Sequence, residues 1–213
     1  MHERLTHFRE ILRYVPGFRD RVFVIAVDGA VVEDDNFPNL LLDIALLRSL
    51  NIRVALVHGA AHQIKRYAAL MKVAPSDLVG TGITDRETLN VAITAANRVT
   101  HEILEGLLAN DLRAACPNAV VAHPAGILGG VDHLFTGKVE RIDVPLLRTL
   151  LEHDIVPVVP PIGIDGSVLE LPATRENARA IGRAGGVSSA QAPGTLRVGW
   201  HSASWARTPT GRW

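Results

Sequence analysis

Strand-like and helix-like patterns alternate along most of this chain, and that alternation leaves few folds open. Val22–Val27 (VFVIAV) is a continuous apolar run, followed by Asp28-Gly29-Ala30. Arg53–His58 (RVALVH) is a second, followed by Gly59-Ala60-Ala61. Neither run alternates with polar residues, so each reads as a strand buried on both faces. A helix is expected over 39–50, with Leu42, Leu46 and Leu50 as its apolar stripe, and another over 62–72. Thr84-Asp85-Arg86-Glu87 has the form of a capping box, opening a long helix that runs to about Ala109. A short strand at 120–122, a hairpin strand at Gly137–Ile142, a helix over Val144–Glu152 and a strand over 154–159 complete the series. Strands alternating with helices imply an α/β three-layer sandwich around a mostly parallel central sheet.

Composition fits a globular chain. The 213 residues suffice for a domain with a real core, and 47% are apolar. Lys+Arg and Asp+Glu are each 22, so charge gives no reason to expect nucleic acid or anionic lipid as a partner. The single cysteine, Cys116, has no internal disulfide partner and is expected to be a small buried hydrophobe. The opening MHERLTHFRE is charged, without a signal-peptide apolar core, and no run approaches a membrane span; the expected location is the cytoplasm.

Three segments follow from texture. In residues 1–20, Leu5, Phe8, Ile11, Leu12 and Val15 recur at helical spacing up to Pro16-Gly17. That stripe either packs on its own domain or contacts another subunit. The subunit contact, and with it a homo-oligomer, is the expectation carried forward. Residues 21–171 hold the strand–helix series. Residues 172–213 are rich in Ala, Arg, Gly, Ser, Thr and Pro, contain all three tryptophans, and have Glu176 as their one acidic residue. This tail is expected to be disordered and not to complete the sheet.

Ligands of open parallel sheets sit beyond the carboxyl ends of the strands. The residues there are Gly29 and Ala30 after the first strand, and His58, Gly59, Ala60 and Ala61 after the second. Small residues let backbone N–H groups approach an anion, helped by the dipole of the following helix. Close packing of strand on helix is the competing explanation. Two such turns at successive strand ends let one ligand span both. His58 and His62 are four apart, but one ends a strand and the other opens a helix, and no Glu or Cys completes a set, so no metal site is expected. Asp28 as a base would repel phosphates, and no nucleophile elbow is present, so no catalytic residue is assigned.

The same residues resemble the amino-acid kinase family. The resemblance rests on the strand and glycine at 22–30, Leu56-Val57-His58-Gly59-Ala60-Ala61-His62-Gln63-Ile64, Gly80-Thr81-Gly82-Ile83-Thr84-Asp85 and Pro157-Val158-Val159-Pro160-Pro161-Ile162-Gly163. It spans roughly residues 8 to 170 in order. Within the family the chain is similar to acetylglutamate kinase and, more closely, to the kinase-like domain of N-acetylglutamate synthase, through Phe18-Arg19-Asp20-Arg21 and Phe135-Thr136-Gly137-Lys138-Val139-Glu140-Arg141-Ile142-Asp143.

What the resemblance implies is shaped by departures from it. Active kinases of the family carry a lysine on the first strand; its place here is Ala26. Their arginine before Thr-Asp in the third motif corresponds to Gly82. Their Asn-x-Asn-Ala-Asp stretch falls on Glu170-Leu171-Pro172-Ala173-Thr174, so Thr174 stands where the aspartate would be. The second lysine has no counterpart, and the C-terminal lobe reads as incomplete. The resemblance therefore implies a truncated, catalytically degenerate kinase-like domain of a synthase in arginine biosynthesis, with regulatory and oligomerising roles. Arginine or acetylglutamate would be its ligand and it would use no cofactor, with the six turn residues as vestigial phosphate and acylamino-acid contacts. Two alternatives stand beside it: an acetylglutamate kinase using ATP and magnesium, and an inert fragment of a disrupted gene.

Overall fold

The computed structural model describes residues 15–76, 83–166, 168–171, 174–184, 187–189 and 201–203. After a 3-10 turn at Val15–Gly17, the chain forms β1 (Val22–Val27), α1 (Gly29–Val32), α2 (Phe37–Ser49), β2 (Arg53–His58), α3 (Ala61–Met71) and α4 (Arg86–Leu108). Short strands β3 (Ala114–Ala115), β4 (Val120–Pro124), β5 (Ile127–Leu128), β6 (Val131–Asp132) and β7 (Gly137–Ile142) follow. Then come α5 (Val144–Glu152), β8 (Val156–Val159), β9 (Ile162–Ile164), β10 (Val168–Glu170), α6 (Thr174–Ala184), β11 (Val187–Ser189) and β12 (His201–Ala203).

The central sheet has the order β11-β12-β1-β2-β8-β3. β1, β2, β8 and β3 are mutually parallel, with Val22 opposite Arg53 and Leu56 opposite Val158. Successive side chains of a strand point to opposite faces, and both faces here are apolar. Ile25, Val27, Val54, Leu56, Val156 and Val158 pack with α2, α3 and α4 around Leu41, Ile44, Ile64 and Ile103. Val24, Val57 and Val159 face the other way, onto Leu147 of α5 and Ala178 and Ile181 of α6. These are the three layers the alternation predicts. A second sheet, β10-β9-β4-β7, covers the carboxyl side, where Leu171 N–H donates to Pro161 O at 2.8 Å. The β5–β6 hairpin turns at Gly129-Gly130, both at positive φ (60° and 83°), as a two-residue hairpin turn requires.

Several expectations need correction. On α2 the buried residues are Leu40, Leu41 and Ile44, while Leu42 and Leu46 are 56% and 58% exposed. In the run Leu40-Leu41-Leu42 more than one helical stripe fits, and packing on β2 and α4 selects among them. The long helix is capped by Asp85, whose carboxylate accepts from Thr88 N–H at 2.7 Å, and not by Thr84. Thr84 is drawn off by longer-range partners described below. Cys116 is exposed, because it follows the two-residue edge strand β3.

The tail reading is overturned where the structure describes that region. α6 buries Asn177, Ala178, Ile181 and Gly182, and β12 pairs antiparallel with β1 at Val22, Phe23 and Val24, with β11 beside it. Ala178 and Ile181 are three apart, so both fall on the one face of α6 that joins the second core. The remainder of the tail, the N-terminal stripe up to residue 14 and the Gly80–Gly82 motif lie outside the described residues. Among the described residues no helix is long and apolar enough to cross a membrane.

Candidate functional site

β1 and β2 are parallel neighbours, so the two small-residue turns emerge side by side at their carboxyl ends. All six predicted residues, Gly29, Ala30, His58, Gly59, Ala60 and Ala61, lie in these turns or at the strand end leading into them. Gly59 N–H donates to Val27 O at 2.9 Å, tying the second turn to the first strand. The first turn opens α1, where the Asp28 carboxylate accepts from Ala30 N–H at 3.2 Å. The second turn opens α3, whose N-cap, Ala60, has no side chain that can cap. The backbone N–H groups of Gly29, Ala60 and Ala61 have no acceptor among the described residues. Helix starts leave such donors over, and here they collect at the carboxyl ends of adjacent strands.

Gly29 is required by this contact. A Cβ there would lie 2.2 Å from Gln63 Oε1, 3.0 Å from Gly59 O and 3.2 Å from Ala60 Cα. Gln63 is 1% exposed and joins the turns: its Nε2 donates to Gly29 O at 2.8 Å and to Glu33 Oε1 at 3.1 Å. Its Oε1 has no hydrogen-bond partner and faces the Gly29 α-carbon.

The charges around the turns are arranged unlike those of a phosphoryl-transfer site. Ala26 is half-buried on β1, opposite Val57, and packs against the second core. Of the three side chains in the first turns of α3 that carry or can acquire positive charge, His62, Lys65 and Arg66, two face one carboxylate. Arg66 lies 2.8 Å and His62 3.4 Å from Glu33. His58 and His62 diverge: His62 is exposed, while the His58 ring is fully buried, 3.1 Å from Gly59 O and 2.9 Å from Thr100 Oγ1. Burial lowers the His58 pKa to about 4, against a smaller opposing effect of the Gly59 hydrogen bond, so the ring is neutral at pH 7.

A second polar cluster gathers Thr84, Thr136 and Glu170, the last being the first residue of the stretch set against the family's Asn-rich motif. Thr84 Oγ1 donates to Glu170 Oε2 at 2.9 Å, Thr136 Oγ1 donates to Thr84 Oγ1 at 2.9 Å, and Thr84 N–H donates to Thr136 Oγ1 at 3.0 Å. This chain of donors joins the start of α4 to β7 and β10. The Arg86 guanidinium sits over the Phe135 ring, 4.3 Å from its centroid. Sequence reasoning quoted Gln63, Thr84, Thr136 and Glu170 within motifs without giving them these contacts, and it passed over Glu33 and Thr100. The one available signal for Gln63 was its place in the first turn of the helix that follows the second glycine turn.

The profile described as "Amino acid kinase family" matches residues 21–178. A relative named amino-acid acetyltransferase, from Pseudomonas fluorescens, is 36% identical over 173 residues, covering 76% of this chain and 40% of the relative. The chain thus spans about 40% of the length of that curated relative. Among solved structures, N-acetylglutamate synthase from Neisseria gonorrhoeae complexed with coenzyme A and N-acetyl-glutamate superposes with a TM-score of 0.74 and 28% identity, covering 84% of this chain and 43% of that one. The same enzyme complexed with coenzyme A and L-arginine gives 0.73 and 27%, covering 83% and 44%.

Proposed function

The chain belongs to the amino acid kinase family, and on that premise we propose that it binds a small amino-acid ligand without transferring a phosphoryl group. The observation that carries this reading is Ala26, an apolar residue packed against the second core at the place of the family's first-strand lysine. Phosphoryl transfer relies on positioning and on neutralising the charge of the transferred group. At these turns Asp28 and Glu33 bring negative charge, and Glu33 engages His62 and Arg66. What the turns offer is backbone N–H, which suits the carboxylate of an amino acid. The Neisseria structures are complexes with N-acetyl-glutamate and with L-arginine, which supports that ligand class here.

In this reading the domain serves a cytoplasmic amino-acid acetyltransferase of arginine biosynthesis as its regulatory and oligomerising part. The test is ADP release in the presence of Mg-ATP and N-acetyl-L-glutamate. No release above the enzyme-free blank is expected; release that depends on N-acetyl-L-glutamate overturns the reading.

A further inference from the structure

The outer face of α2 is apolar where a surface helix carries polar residues. Leu42 and Leu46 are 56% and 58% exposed. They stand four apart, so they lie one above the other on a single face. At about 100° per residue, that face is opposite the one on which Leu40 and Ile44 are buried. Within α2 only Asn39, Asp43, Arg48 and Ser49 are polar, and a helix apolar on both sides is one that is covered on both sides. α4 shows the contrast: its outward positions include Asn90, Thr94, Asn97, His101 and Glu105.

Charge is divided between the two ends of this stripe. Asp34 and Asp35 precede the helix, both exposed. Asp34 accepts from Asn36 N–H at 2.8 Å, and neither carboxylate has an ion-pair partner among the described residues. At its other end the helix is tied to the turn before β1: Asp20 N–H donates to Asn51 O at 3.0 Å, and Asn51 Nδ2 donates to Asp20 Oδ1 at 2.7 Å. Arg19 and Arg21 flank Asp20 there, and Arg53 N–H donates to Arg21 O at 2.8 Å. The side chains of these three arginines likewise make no ion pair among the described residues. Arg48, at the same end, is already engaged by Asp154. The stripe is thus acidic where it starts and basic where it finishes, with leucine between.

We propose that α2 is a self-association surface, on which a second copy of this chain packs its own α2 antiparallel, with Leu42 beside the second copy's Leu46. The antiparallel sense follows from charge. It turns Asp34 and Asp35 of each copy toward the basic end of the other and opposes the two helix dipoles, whereas the parallel sense sets like ends together. A two-fold axis across the helices gives this same arrangement, with one patch used on both copies. Asp43, about 100° round from Leu42, stays at the rim in solvent. The proposal deepens and rests on the oligomerising part of the reading above, and on none of its ligand chemistry. The 13 residues of α2 span about 20 Å, so the contact is at the small end of specific interfaces and assembly depends on concentration.

The test is sedimentation equilibrium of the full chain over about 1–100 μM. The average mass of wild type should rise with concentration. In the Leu42→Glu, Leu46→Glu double variant the dissociation constant should be about tenfold higher or more. Both leucines are exposed, so the melting temperature of dilute protein should stay at the wild-type value. A charge exchange makes the test independent of the leucines. Asp34→Lys with Asp35→Lys, and Arg19→Glu with Arg21→Glu, should each weaken association, and all four substitutions together should restore it. Equal masses for wild type and the leucine variant overturn the proposal. If both assemble, another face carries the oligomer and the oligomerising role stands; if both are single chains, that role fails as well. Loss without recovery in the fourfold exchange overturns the antiparallel packing and with it the proposal.

Discussion

Acid should destabilise the fold through His58 in a predictable window. The ring is fully buried, and its pKa falls from 6.5 to about 4 in the folded chain. A depressed folded pKa means that the unfolded chain takes up the proton first. The contribution is complete above the unfolded value and is lost as pH falls through the folded value. At 1.36 kcal/mol per unit, the whole shift corresponds to about 3 kcal/mol, with about 2 kcal/mol already lost at roughly pH 5. The assay is urea unfolding between pH 7.5 and 4.5 of wild type and the non-titrating His58→Asn variant. Carboxylates titrate in both proteins, so the difference between the two stability curves isolates the imidazole. Wild type should lose stability relative to the variant as pH falls below 6.5. A difference that stays constant across the range refutes the reasoning, because it would mean that the ring is not held neutral by burial.

Other outcomes follow from particular contacts. Gly29→Ala drives a methyl against Gln63 Oε1 and the second-turn backbone; a stability loss of about 1–3 kcal/mol is expected by thermal or urea unfolding, and an unchanged midpoint would show that the turns are not in contact. Trypsin should cut after Arg179 and Arg183 no faster than after Arg98 of α4, since α6 buries Ala178 and Ile181 against the second core. Early cleavage at those two arginines would show that α6 is not docked.

What could be read from the sequence divides by range. The buried strands Val22–Val27 and Arg53–His58 and their glycine turns declare themselves in consecutive residues, and the parallel pairing follows from the helices between them. The identity of residue 26 needs only the strand and the family pattern. The contacts that shape the site are of another kind. Gln63 reaches Gly29 across 34 residues, Thr84 reaches Thr136 across 52 and Glu170 across 86. A Thr-x-x-Glu spacing looks like a cap when only local bonds are considered; once Glu170 and Thr136 arrive, the Thr84 hydroxyl has better partners and Asp85 takes the helix end. The same local view underrated α6, whose apolar residues gain their value from a surface made of Val24, Val57 and Leu147.

Calorimetric titration of N-acetyl-L-glutamate into the full chain, followed by addition of Mg-ATP to the same cell, tests the central claim most directly. The account predicts saturable heat from the first ligand and no continuing heat of turnover after ATP. Absence of binding heat, or a sustained signal once ATP is added, would contradict it.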